Sequence, residues 1–303
     1  MLTLSPLAPS PITLSPSQWR RRRVEHEQRV DGLLSEHLWR RRDGVKHPVA
    51  DFLFTYYSHR PARLRRWHPG AGVLLRGATP PGPDYVAVPG GAVLDHAALI
   101  GRRRPAITLL RDLLAATAVR APQWGCFGLH EWAMVYRQSA EEIRHRDWPL
   151  RLDPGPVVEQ QPLRCTHFDA FRFFTDAARP LNLIQLTRAD QAAHEQPACL
   201  HANMDLYKWA YKLSPLVPSE LVVDCFELAR DVRTVDMRAS PYDLVALGLP
   251  PVRVETAAGR AEYTRLQREL ADRAEPLRAR LIAECDQLLA FGTAGITADP
   301  STA

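Results

Sequence analysis

Apolar residues at helical spacing run through more of this 303-residue chain than any other pattern, which points to a helix-dominated fold. Between residues 17 and 42, Trp19, Val30, Leu33, Leu34 and Leu38 recur among charges, and Asp43-Gly44 ends the helix they predict. Residues 103–119 repeat the pattern, with Leu109, Leu110, Leu113, Leu114 and Ala118 expected inward. Further helices are expected from Pro48 through Tyr57, over 129–144, and from a Thr187-x-x-Asp190 capping box to His194. Three more follow: 199–213, stopped by Ser214-Pro215; 218 to about 237; and 256–291, kinked or broken at Pro276.

Glycine and proline punctuate the rest. Pro69-Gly70, Pro80-Pro81-Gly82-Pro83 and Pro89-Gly90-Gly91 mark residues 68–93 as loop, with short strands over 73–75 and 85–88. Residues 150–164 are expected to be extended. The predicted architecture is mainly α. It is a single compact helical domain over 15–291, with Pro/Gly-rich connections, few short strands and a site region over about 45–245. Residues 1–14 and 292–303 are expected to be disordered tails.

Composition narrows the function classes. With 46% hydrophobic and 24% charged residues the chain can bury a sizeable core. No stretch approaches the roughly 20 apolar residues of a membrane span. The first residues, Met1-Leu2-Thr3-Leu4-Ser5-Pro6, lack the basic segment and apolar core of a secretory signal. Five cysteines, Cys126, Cys165, Cys199, Cys225 and Cys285, stand far apart without a CxxC pair, against zinc ribbons and iron–sulfur clusters. Free thiols in a reducing cytoplasm are the expectation. The net charge of +5 gathers in arginine runs at 20–23, 40–42 and 102–104, with Arg63, Arg65 and Arg66. These runs either form solvated helix faces or hold DNA phosphates.

Four segments join catalytically capable side chains to aromatic ones: His47 to Tyr57, Gly128 to Arg137, Arg164 to Arg172, and His201 to Trp209. His201 and Asp205 are four residues apart on a predicted helix and share a face with Trp209. His47 and Asp51 have the same interval, whereas the adjacent His130 and Glu131 point about 100° apart on a helix. His167 and Asp169 share a face only where the chain is extended. Imidazoles and carboxylates on facing helices suit iron, manganese or zinc. The candidate ligands are His47, His130, His167 and His201 with Asp51 and Asp205. No Glu-x-x-His or His-Glu-x-x-His motif accompanies them. Without a metal, Asp205, Asp51, Asp169 or Glu131 serves as the catalytic carboxylate. Tyr56, Tyr57, Trp132 and Trp209 then stack on a planar ligand, and Arg238 binds an anionic group. The alternative for each pair is structural, a satisfied buried hydrogen bond or an aromatic core stripe. Lys208 and Lys212 are expected to be solvated.

The stretches His47 to Tyr57, Arg63 to Gly70, Cys126 to Arg137, Arg164 to Thr175, Leu200 to Pro215 and Met237 to Leu244 resemble a family of bacterial proteins known as 3-methyladenine DNA glycosylases. The resemblance implies hydrolysis of the N-glycosidic bond of an alkylated purine that is flipped from DNA and held between aromatic rings. It also implies an ionised carboxylate that activates water, with Asp205, Asp51 and Asp169 as candidates by residue type, and arginine contacts to phosphates. The sequence has no helix–hairpin–helix with a Gly-rich hairpin before a catalytic Asp. Three readings follow: a base hydrolase of the DNA-repair type, a helical His/Asp/Glu metalloenzyme, and a non-catalytic module binding nucleic acid or protein.

Overall fold

The computed structural model describes residues 12–143 and 145–291. A capping box opens the first helix: Ser15 Oγ accepts from the Gln18 amide, and the Gln18 side chain accepts from the Ser15 amide. This helix, α1 (Pro16–Arg42), is followed by the short helices α2 (Phe52–Thr55) and α3 (Pro61–Arg65). A small sheet then leads into α4 (His96–Ala118). Four short helices come next: α5 (Leu129–Ala133), α6 (Pro154–Glu159), α7 (Phe168–Phe171) and α8 (Gln191–His194). The long helices α9 (Leu200–Leu213), α10 (Ser219–Arg238) and α11 (Ala257–Phe291) complete the fold, which is mainly α.

The sheet has four strands in the order β1-β2-β4-β3: Ile12–Leu14, Val73–Arg76, Gly91–Leu94 and Tyr85–Val88 respectively. Strands β3 and β4 form a hairpin across Pro89-Gly90, where proline presets the turn and Gly90 adopts φ +86°. Strand β1 corrects the expectation of a loose start over 1–14. Ile12, Thr13 and Leu14 pair in parallel with Val73, Leu74 and Leu75, so the ladder supplies the order that composition did not. The remainder of that expectation, 1–11, and the whole of 292–303 lie outside the described residues.

Helices α9, α10, α11 and α4 pack around one apolar core holding Leu206, Tyr207, Val223, Phe226, Ile107, Leu270 and Leu281. Helix α11 runs unbroken through Pro276. Its packing on α4, α9 and α10 holds the turns on both sides of the missing amide. Three expected helices are much shorter than their patterns, among them the one from Thr187, which begins only after Asp190 as α8. The stretch from Pro48 is a series of turns before α2, and 129–144 contains only α5, after which Arg137 adopts φ +55°. All five residues of α5 are buried, so they lack the two-faced pattern on which helix length is read. Over 150–164, helix α6 replaces the expected extended chain, capped by Asp153 and begun at Pro154. Among the described residues no helix is long and apolar enough to cross a membrane.

Candidate functional site

Helix α10 carries the first half of the site on its apolar stripe. Val222, Phe226 and Ala229 continue at helical spacing into Arg233 and Asp236, all of them buried. Charges on such a stripe require partners. Arg233 donates to Asp236 and to Glu131 of α5, both at 2.7 Å. His130 Nε2 lies 2.7 Å from Asp236 Oδ1, and its Nδ1 lies 3.4 Å from Cys126 Sγ. His201, at the start of α9, meets the edge of the His130 ring with centroids 4.5 Å apart. Every charged atom of Asp236 therefore has an aligned partner.

The second half lies one imidazole away. His167, just before α7, stacks on His201 with ring centroids 5.4 Å apart. Its Nε2 stands 3.2 Å from Glu195 Oε1 and 3.4 Å from Asp205 Oδ2. These are ion-pair distances, yet among the described residues neither ring nitrogen of His167 has an aligned hydrogen bond, and the side chain is only 1% exposed. Asp205 is fixed by Tyr57 Oη donating to Oδ1 at 2.6 Å and by Lys208 Nζ donating at 2.6 Å to Oδ2, the oxygen that also faces His167. Lys208 also reaches Asp169 at 3.1 Å. Lys208 is buried by these two carboxylates, which corrects its expected solvation.

The electrostatics follow from burial and pairing. Burial opposes charge on His130, but Asp236 and Cys126 outweigh it and raise its pKa well above the usual imidazole range. Burial likewise opposes charge on His167, and Glu195 and Asp205 reverse the effect. His201 is driven well below its usual value by burial and by His130, so its ring is neutral. Burial raises Asp205, but Lys208 and His167 hold it below the carboxylate range. Burial raises Glu195 and Glu131. Lys208, despite desolvation, is pushed up to about 12 by Asp205 and Asp169, so it is a fixed cation and not a nucleophile. Four buried carboxylates (Glu131, Glu195, Asp205, Asp236) face the buried cations Lys208 and Arg233 and the imidazole His130 that Asp236 holds protonated, with the buried Arg278 near Glu195.

Two spaces adjoin these groups. A cavity of about 50 Å³ touches Glu131, Asp169, His201 and Arg233 beneath Phe52, Tyr56 and Phe173. An open cleft of about 280 Å³ is lined by Tyr56, Tyr57, Trp209, Asp169 and the cations Arg172, Arg188, Lys208 and Lys212.

The structure thus brings together His130, Glu131, His167, Asp169, His201 and Asp205, with Tyr56, Tyr57 and Trp209 at the cleft. Four expected residues lie elsewhere. Asp51 accepts from His37, Arg40 and the His47 amide, and His47 Nδ1 accepts from the Val49 and Ala50 amides. Their lone pairs thus hold the 47–51 turn against α1 and do not join the other candidate ligands. Trp132 is core, its indole donating to the Ala239 carbonyl at 2.8 Å under the Arg151 guanidinium. Arg238 is occupied by the Pro250 carbonyl at 2.8 Å and by Glu262. Much of the arginine excess is similarly engaged: Arg22 with Glu220, Arg65 with Asp31, Arg63 and Arg103 with the Ser214 carbonyl.

Sequence reasoning missed Glu195, Arg233 and Asp236. For the last two the signal was present, since charges at the buried positions of an otherwise apolar stripe mark a built network. Glu195 follows the four-residue helix α8 and carries no periodic signal. No known family model, curated protein or solved structure matches this chain, so the chemistry rests on its own residues.

Proposed function

We propose that this chain is a metal-dependent enzyme whose divalent cation is held by His167, Glu195 and Asp205. One observation carries the reading: an imidazole sealed between two carboxylates without an aligned hydrogen bond to either. Buried polar atoms without aligned partners are costly, and three ligand atoms within 4.8 Å of one another are an arrangement a cation relieves. With metal–ligand bonds of about 2.0–2.2 Å, neighbouring ligand atoms in a four- to six-coordinate shell stand about 2.8–3.6 Å apart. The 3.2 Å and 3.4 Å separations fall in that range. Two carboxylates with one imidazole favour manganese or iron, with zinc the next candidate. Tyr57 orients Asp205 through Oδ1, as outer residues do around catalytic metals, while Lys208 shares Oδ2 with His167. A divalent cation held by His167, Glu195 and Asp205 would supply the Lewis acidity that promotes deprotonation of a bound water, and His201, stacked on His167 and lining the adjacent cavity, is kept neutral beside it.

Elemental analysis tests this reading. Purified protein is expected to carry about one equivalent of manganese, iron or zinc, and His167→Ala to carry none while still unfolding cooperatively. Folded wild-type protein that neither contains a metal nor gains thermal stability when one is added would remove the reading.

The aromatic and basic lining of the cleft favours a second reading. Trp209 lies under Lys208 and Lys212, at 4.2 and 5.1 Å from its ring centre. With Tyr56 and Tyr57 at the same cleft, these are parts that a flipped purine and its phosphates require. We propose on this ground that N-glycosidic hydrolysis in alkylated DNA is the reaction to assay first. Release of free 3-methyladenine with an alkali-sensitive strand supports it, and intact substrate in the presence of metal-loaded protein excludes it.

A further inference from the structure

Leu109 was expected to face the core, but it is 72% exposed. The apolar stripe of α4 is wider than the surface that α11 covers. The exposed Ala106 and Leu109, with the edges of the buried Leu110 and Leu113 at its floor, form one wall of a groove of about 430 Å³. Trp209 and Leu213 of α9 form the opposite wall. A volume of this size is that of a small-molecule site, and an apolar floor of this extent is uncommon on an unoccupied surface.

The rim of the groove is charged with one sign. Arg103, Arg188 and Lys212 line it, and none of its lining residues is acidic. Lys212 makes no salt bridge among the described residues. Its ammonium lies over the Trp209 ring, while burial and the nearby Lys208 lower its pKa. Arg188 reaches Asp169 only at 3.5 Å, and its side chain is largely exposed. Arg188, Gln191, Trp209 and Lys212 line both this groove and the polar cleft that leads to Lys208 and Asp169. The apolar groove therefore meets the polar cleft at a cationic rim.

We propose that the groove binds a small amphipathic anion, with an aliphatic body against Leu109 and Trp209 over the floor at Leu110 and Leu113 and a single anionic head on Lys212 and Arg188. The body removes apolar surface of α4 from water, and the head supplies the counter-charge that Lys212 lacks. The inference is independent of the metal reading, since no residue of the groove belongs to the His167–Glu195–Asp205 cluster.

Calorimetric titration of the full chain with decanoate, decyl phosphate and decanol provides the test, run both after chelation and after manganese loading. Decanoate or decyl phosphate is expected to bind at least about tenfold more tightly than decanol, in both preparations alike. The stronger of the two anions identifies the head as carboxylate or phosphate. Lys212→Gln is expected to weaken the anion about tenfold and leave decanol unchanged, and Ala106→Glu, an exposed change at the groove, to weaken both anions. Decanol binding as tightly as the anions would overturn the proposal. So would an anion affinity unchanged in Lys212→Gln, or the absence of binding by all three ligands.

Discussion

The two halves of the buried site are built from the same residue types and behave differently. Around Asp236, both carboxylate oxygens have aligned partners, His130 on one and Arg233 Nη1 on the other, and Glu131 accepts from the same Nη1, while Arg233 Nε has no aligned partner among the described residues. Around Asp205, the carboxylate is equally well held by Tyr57 and Lys208, but the imidazole facing it is left without alignment and Glu195 adds a second negative charge. The difference shows that residue type does not decide whether a polar cluster is structure or site. Alignment does. A closed network stabilises one conformation, whereas an open one stores an electrostatic need that a ligand can meet.

The largest expected effect separates the halves by stability. Asp236→Ala leaves Arg233 half-paired in the core, and urea melts are expected to show a loss of about 3–5 kcal/mol. A loss below about 1 kcal/mol would mean that the first half is not the closed network described.

The next effect separates them by ligand. Manganese or zinc at about a hundredfold excess over its dissociation constant is expected to stabilise the wild type by about 2.7 kcal/mol. In Glu195→Gln that gain disappears, while the metal-free variant unfolds no more easily than the wild type, because one of two neighbouring buried negative charges is gone. A metal-free Glu195→Gln protein much weaker than the wild type would place Glu195 in a structural role like that of Asp236.

Comparisons of the halves across pH require a known background, and His59 supplies part of it. Stacked on Tyr211 with centroids 3.7 Å apart, His59 is lowered to about 3 by burial, Lys212 and Arg63. The unfolded chain takes this proton near pH 6.5 and the folded chain only near pH 3, so the stabilising contribution is complete above about 6.5 and lost on acidification. Stability is expected to fall by about 1.4 kcal/mol per pH unit through that window from this group. His59→Phe should flatten that part of the curve, and an unchanged slope would place the titration elsewhere. The smallest effect is a control away from both halves: Arg238→Ala, losing one exposed ion pair and one carbonyl contact, is expected to cost about 1 kcal/mol or less and leave metal affinity unchanged.

The mainly helical architecture was legible because α1, α9, α10 and α11 each carry several turns of apolar periodicity. The short helix α5 was over-extended, since a fully buried segment has no polar face to mark its end. Strand β1 was invisible, because three residues become a strand only through a neighbour sixty positions away in the chain. In the site, the His201 and Asp205 interval placed both residues on α9 as expected, but their partners come from other elements, His167 and Tyr57 among them. Spacing within one helix cannot show which distant residue closes a pair. The exclusion of His47 and Asp51 was illegible for the same reason, as their partners His37 and Arg40 lie on α1.

Anomalous X-ray diffraction from crystals soaked in manganese or zinc addresses the open half directly. A single peak within about 2.0–2.2 Å of His167 Nε2 and one oxygen each of Glu195 and Asp205 is the expected result. Soaked crystals with no peak there, or with metal seated only beside His130 and Asp236, would contradict the assignment of the unaligned imidazole to a cation.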